Sequence, residues 1–166
     1  FTVDKVHSSP ARFDMKKLEA INGDKIRALT LDDFLKWSLP FLTKANVITG
    51  TDSEIALAKQ ALPLIQERIV KLDEVPAMLR FLFVKDFKVE EASLPKVTDS
   101  ASKDVLKRSL AELTPLTTWN HESIEAALRT SLIEEMGLKP RIAFGAVRIA
   151  TTGSTISPPL FESMEL

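Results

Sequence analysis

Hydrophobic residues recur along most of the chain at the three- and four-residue spacing of an α-helix. The clearest runs are Ile55, Ala58, Leu62 and Ile65; Val75, Leu79 and Leu82; Leu106, Leu110 and Leu113; and Ile124, Ala127, Leu128, Leu132 and Met136. This spacing places the apolar side chains on one face of each helix. No comparable alternating strand pattern occurs, so the sequence predicts an all-α protein of about seven to nine helices.

Capping residues and prolines mark the predicted helix ends. Thr30 with Asp33, and Thr51 with Glu54, have the spacing of capping boxes, and Gly137 follows a long amphipathic run as its C-terminal stop. Proline removes a helical hydrogen bond and disfavours helix before it. We therefore expect prolines to divide the chain into short helices that pack as cages, at positions 40, 63, 76, 95, 115, 140, 158 and 159.

The helical pattern is weakest between residues 84 and 102, where acidic residues, serines and Pro95 accumulate. Such a stretch is typical of a connection between domains. We predict a boundary near residue 92, with one helical domain over 30–91, a second over 92–166, and a separate segment over 1–29.

Composition and motifs give little sign of catalysis. The net charge of −1 neither indicates nor excludes nucleic-acid binding, and the absence of cysteine excludes disulfides. His7 and His121 lack a histidine partner at i+4, so no metal site is expected. The Thr151–Thr155 segment lacks the Gly-Lys-Ser of a phosphate loop and is better explained as a helix cap. We predict no catalytic residue and no membrane span.

Three sequence blocks are more specific. They are the run from Gly137 to Glu162, with Arg148 near the middle of a helix, then Thr152-Gly153-Ser154 and Pro159-Leu160-Phe161; the Phe13–Arg27 block with Asn22-Gly23; and Trp119 before Ile124–Arg129. Together these blocks resemble the C-terminal anticodon-binding region of bacterial-type glutamyl-tRNA synthetases, which are class I enzymes. In that family the Asn-Gly pair joins two short helices.

The resemblance implies two small helical-cage anticodon-binding domains, 30–91 and 92–166, preceded by the end of the stem-contact region, 1–29. It implies recognition of the tRNA(Glu) anticodon stem-loop by a fragment truncated at both ends, without aminoacylation. ATP and Mg would belong to the catalytic domain of the parent glutamate-tRNA ligase, so no cofactor is expected in this chain. A cytoplasmic, monomeric protein is also expected.

The same resemblance assigns roles to six residues. Arg68 aligns with the arginine that meets the third anticodon base, and Arg148 with the arginine directed at the first. The neighbouring loop and helix start that would contact the anticodon are Ser157, Pro158, Leu160 and Phe161. We expect Arg148→Ala to weaken RNA binding and to leave thermal stability nearly unchanged. We assign Trp37 and Trp119 to packing.

Alternatives remain open at this stage. Arg68 could pair with Glu67 or Asp73 on a helix surface, Phe161 could be a core residue, and Gly153 could serve only as a left-handed cap. Arginine offers only donors, so it favours cytosine, which ends glutamate anticodons, over guanine, which ends glutamine anticodons. Two other functions stay open. One is a non-discriminating synthetase, against which only Arg68 argues, and the other is a helical protein-interaction module.

Overall fold

The computed structural model describes residues 14–166, and within that range the chain is entirely helical, without strands. The helices are α1 Met15–Arg27, α2 Leu31–Lys44, α3 Asp52–Ala61, α4 Pro63–Gln66, α5 Val75–Phe83, α6 Pro95–Thr98, α7 Ser100–Leu113, α8 His121–Leu128, α9 Pro140–Thr152 and α10 Leu160–Glu165. Short 3-10 helices at Leu72–Glu74 and Glu91–Ser93 precede α5 and α6, and a π-helix at Arg129–Glu135 continues α8. The all-α prediction is confirmed, but its helix count was low because α4 and α6 have four residues each.

Side-chain caps explain several helix starts. Thr51 accepts a hydrogen bond from the Glu54 N–H at 3.4 Å, and the Glu54 carboxylate accepts one from the Thr51 N–H at 2.9 Å, completing the predicted capping box. The hydrogen bonds that the Glu54 carboxylate accepts, of which the one from the Thr51 N–H has the largest effect, lower the pKa of Glu54 to about 2. At Thr30 the cap differs, since Asp33 accepts from the threonine hydroxyl. Gly137 stops its run with a φ of +66°.

Prolines act as predicted at four helix starts and not at a fifth position. The four, each in the first turn of a helix, are Pro63, Pro76, Pro95 and Pro140. Pro40 instead lies inside the 14-residue α2, so the expected break there is wrong. Pro40 and Lys36, whose carbonyl loses its helical partner, are both exposed, and water can satisfy that carbonyl.

The buried apolar residues form two separate clusters. The first runs from Ile26 to Leu79 in sequence and is extended by partly buried residues as far as Phe83. The second runs from Val105 to Leu160 and is extended to Met164. The 84–102 stretch lies between them in sequence, and the domain limits 30–91 and 92–166 stay predictions. None of the helices within residues 14–166 has the length and apolar character needed to cross a bilayer.

The Asn22-Gly23 pair corrects one expectation. It lies inside the continuous helix α1 and does not join two helices. Gly23 is buried, and a methyl group in place of its hydrogen would stand 3.2 Å from Val70 Cγ1. The Asn22 amide donates to the Val70 carbonyl oxygen. This Asn-Gly pair therefore lets a later segment pack closely on α1. His7 and Phe13 lie outside the described residues.

The two tryptophans are more exposed than a packing role predicts. Trp37 is 54% exposed on α2, so less of its side chain packs against the protein than the sequence predicted. Trp119 is 49% exposed, but its indole N–H donates to the Met164 carbonyl oxygen at 2.7 Å. Trp119 therefore helps to hold α10, as a packing residue at the surface.

Candidate nucleic-acid interface

Arg148 lies in the last turns of α9 and is fixed by the loop that follows this helix. Its Nη1 donates to Ser157 Oγ at 2.6 Å and to the Pro158 carbonyl oxygen at 2.7 Å. The Ser157 hydroxyl in turn donates to the same carbonyl at 3.1 Å. These bonds hold the guanidinium in one orientation, so Arg148 also contributes to the structure of the loop.

Arg148 is half-buried, and this burial lowers the pKa of its guanidinium. The positive charge of Arg68 lowers that pKa further, and Glu162 opposes the shift. Arg148 remains charged at neutral pH because the ordinary arginine pKa is far above 7. An anion or an acceptor-rich base would offset the repulsion that Arg148 experiences from Arg68.

Arg68 lies in the exposed turn that follows α4. Gln66, two residues earlier, donates through its amide to the carbonyl oxygens of Ile26 and Leu29, each at 2.9 Å. Ile65 and Ile69 on either side are fully buried. Within residues 14–166, Arg68 forms no ion pair with Glu67 or Asp73. The turn is therefore anchored from both sides, while the guanidinium points outward.

The other predicted contacts lie beside Arg148 but are mostly covered. Ser157 and Pro158 are buried residues of the loop between α9 and α10, and Leu160 is 3% exposed in the second apolar cluster. Phe161 is half-buried and packs edge-on against Phe144, with ring centroids 5.2 Å apart. In this conformation Ser157 and Pro158 hold Arg148, and Ser157, Pro158 and Leu160 offer little surface to a base. Their contact with an anticodon stays a prediction.

An open cleft of about 830 Å³ lies between the α6–α7 junction and α9. Its lining includes three cationic side chains, Lys96, Arg141 and Arg148, one carboxylate, Asp99, and the bare backbone of Gly145. At its edge Ile142 is 57% exposed. Cationic donors beside open apolar surface suit an unstacked base and its phosphate.

This cleft was not predicted from the sequence, because no local pattern marks it. In α9 the buried stripe is Ala143, Ala146, Val147 and Ile149. Ile142 precedes Ala146 by four residues and Ile149 by seven, so helical spacing predicts it to be buried with that stripe, although the structure leaves it exposed. Lys96 comes from a distant part of the chain and carried no signal either. No group of three or more potential metal ligands occurs in residues 14–166.

Comparison with known proteins identifies a family for this chain. The family model described as "Anticodon binding domain" matches residues 31–166, which is most of the chain. Two similar proteins are the glutamate–tRNA ligases of Saccharopolyspora erythraea and Arthrobacter sp. (strain FB24), which are 44% and 47% identical. These matches include 100% and 99% of this chain but only 34% and 33% of the relatives. The chain thus spans about a third of the length of these relatives.

A solved structure shares the fold. The glutamate tRNA ligase of Elizabethkingia meningosepticum, crystallised in complex with its amino acid, aligns with a TM-score of 0.71 at 20% identity. The alignment includes 99% of this chain and 32% of that one. The chain therefore belongs to the anticodon binding domain family, in the form found in bacterial glutamate–tRNA ligases.

Proposed function

We propose that this chain recognises the anticodon stem-loop of glutamate tRNA for a glutamate–tRNA ligase. In this proposal the ATP-dependent attachment of glutamate belongs to another part of the ligase. The chain contributes recognition only and holds no cofactor of its own. The observation that carries the proposal is that Ser157 and Pro158 orient Arg148 at a cleft that is also lined by Lys96 and Arg141.

Arg148 is suited to hold one unstacked base. Its Nη1 is occupied by Ser157 and Pro158, so the plane of the guanidinium is set before any RNA arrives. The Nη2 and Nε groups form no hydrogen bond within residues 14–166 and remain as donors for a base edge or a phosphate. A donor that is already oriented loses less conformational entropy on binding. We assign Arg148 to the first anticodon base.

Arg68 is suited to distinguish the third base. Cytosine offers the acceptors N3 and O2 on its pairing edge, which a donor-only guanidinium can satisfy. Guanine places N1–H and N2–H on that edge, and both would face a cation without an acceptor. Glutamate anticodons end in cytosine and glutamine anticodons in guanine, so Arg68 supports a discriminating enzyme.

The test compares two labelled anticodon stem-loops, identical except for cytosine or guanine at the third anticodon position, by fluorescence anisotropy at fixed salt. The wild-type chain should prefer the cytosine loop by roughly 1–3 kcal/mol. Arg68→Gln supplies a carbonyl that accepts from guanine and an amide that donates to cytosine. The preference should then fall close to zero.

The outcomes separate the candidate functions. A wild-type chain that binds both loops equally would remove Arg68 from the site and favour a non-discriminating ligase. A chain that binds neither loop, although correctly folded by circular dichroism, would contradict RNA recognition and favour a helical protein-interaction module. Arg80→Gln is a suitable control, because Arg80 is an exposed arginine on α5 whose removal changes the total charge equally.

A further inference from the structure

The connection after α5 makes a specific contact with the end of α9. The backbone N–H of Glu90 donates to the Gly153 carbonyl oxygen at 2.9 Å. The Ser154 hydroxyl donates to Glu90 Oε2 at 2.8 Å. Phe87, three residues before Glu90, lies against Gly153. We call these four residues, Phe87, Glu90, Gly153 and Ser154, the clasp.

The clasp requires glycine at position 153, because a larger side chain would not fit there. Gly153 ends α9 with a φ of +80°, a conformation that favours glycine. A Cβ at this position would lie 2.9 Å from Phe87 Cδ2 and 3.2 Å from the Lys88 carbonyl oxygen. The first of these distances is too short for carbon atoms that do not share a bond. The Thr152-Gly153-Ser154 segment therefore ends α9 and also packs against the connection that follows α5.

The clasp lies between the supports of the two arginines. On one side, Ser154 begins the loop in which Ser157 and Pro158 hold Arg148. On the other side, Phe87 follows α5, whose Val75 and Leu79 share the first apolar cluster with Ile65 and Ile69. That cluster anchors the turn that carries Arg68. Short connections at both ends leave little freedom between the clasp and either support.

We propose that the clasp is a positioning device, in which Phe87 and Glu90 fix the Arg148 loop relative to Arg68 so that both arginines meet one anticodon loop. This proposal rests on the RNA recognition proposed above. The turn that carries Arg68 is anchored in the first apolar cluster, whereas the Arg148 loop leads into Leu160 of the second, so contacts between these parts of the chain must set their spacing. A pre-set spacing makes the second arginine contact nearly intramolecular once the first has formed.

The decisive change is Glu90→Ala, compared with Glu91→Ala. Each variant removes one exposed acidic side chain, but only Glu90 accepts from Ser154. Removing a negative charge near RNA should by itself strengthen binding slightly. Loss of the Ser154–Glu90 bond, which leaves only the backbone bond and the Phe87 contact in the clasp, acts in the opposite direction. We expect Glu90→Ala to bind the cytosine-ended stem-loop about tenfold more weakly, while Glu91→Ala binds equally well or better.

Rescue and coupling distinguish positioning from a merely structural role. Glu90→Gln keeps an acceptor for the Ser154 hydroxyl and should restore most of the affinity. The second readout is the coupling between Arg68→Gln and Arg148→Ala in a double-mutant cycle of stem-loop affinity. The two arginines should be coupled when Glu90 is present and independent when Glu90→Ala is added, with the circular dichroism spectrum unchanged.

The result that overturns the clasp is equal stem-loop affinity for Glu90→Ala and Glu91→Ala, together with undiminished coupling of the arginines. RNA recognition would survive that result, since the wild-type chain would still bind the cytosine-ended loop. If the wild-type chain itself fails to bind, the proposed function is wrong and the positioning role of the clasp fails with it. Affinity of the wild-type chain measured in the same titration separates the two failures.

Discussion

Gly153→Ala should destabilise the protein more than any other glycine-to-alanine change at a helix end of this chain. Two effects act at this residue. Its φ of +80° is unfavourable for alanine, and the added Cβ would lie 2.9 Å from Phe87 Cδ2. Gly137 provides the matched control, because its φ is +66° but no atom lies within 4 Å of a Cβ built there.

The magnitudes follow from these two effects. A left-handed conformation costs a residue with a Cβ roughly 1–2 kcal/mol. About 0.4–1 kcal/mol of this is offset because alanine lowers the entropy of the unfolded chain. Gly137→Ala should therefore cost about 1 kcal/mol. Forcing an extra carbon into a packed contact adds roughly 1–3 kcal/mol, so Gly153→Ala should cost about 2–4 kcal/mol.

The assay is urea unfolding followed by circular dichroism at 222 nm, with a thermal scan as a second measurement. For a chain of this size the Gly153→Ala melting temperature should fall by roughly 5–15 °C. The same substitution is then made in a Phe87→Ala background, which removes the clashing ring. There the cost of Gly153→Ala should shrink to about that of Gly137→Ala. Equal costs for both glycines, or an unchanged cost without Phe87, would refute the proposed close contact.

Two further predictions concern Arg148 and the C-terminal helix. Arg148→Ala should weaken stem-loop binding by roughly 1–3 kcal/mol. Because two hydrogen bonds to the loop are lost, it should also lower the free energy of unfolding by about 1–2 kcal/mol, and an unchanged value would show that these bonds contribute nothing. Arg129→Ala should change binding little. His121 hydrogen-bonds Glu165 at 2.6 Å, which raises the pKa of His121 above 6.5 and lowers that of Glu165 below 4.5. The stabilisation of α10 should therefore be greatest between about pH 4.5 and 6.5, be lost as the pH rises through the raised His121 pKa, and be lost again in acid as the pH falls through the lowered Glu165 pKa. Trp119 fluorescence reports the packing of α10, because the Trp119 indole donates to the Met164 carbonyl oxygen in that helix. His121→Gln should abolish the pH dependence of this fluorescence above pH 6.5.

Local signals in the sequence were sufficient for the helical elements. The apolar spacing predicted an all-α chain, and the capping pair Thr51 with Glu54 and the stop at Gly137 are confirmed. These features depend on side chains and backbone groups within about four residues of each other, so neighbouring letters contain the needed information. Pro40 failed as a predicted break because solvent exposure, which depends on packing, made the missing hydrogen bond tolerable.

The blocks of the sequence that resemble a known family indicated Arg68 and Arg148, but not how they are held. Arg148 depends on Ser157 and Pro158, and the clasp joins Glu90 to Ser154 across 64 positions of the chain. No periodic pattern encodes such contacts, since they join residues that are far apart in the chain. The sequence by itself determined which segments are helices and which family they resemble. The tertiary structure decided which side chains are exposed and which loops touch, because these properties depend on packing between residues far apart in the chain.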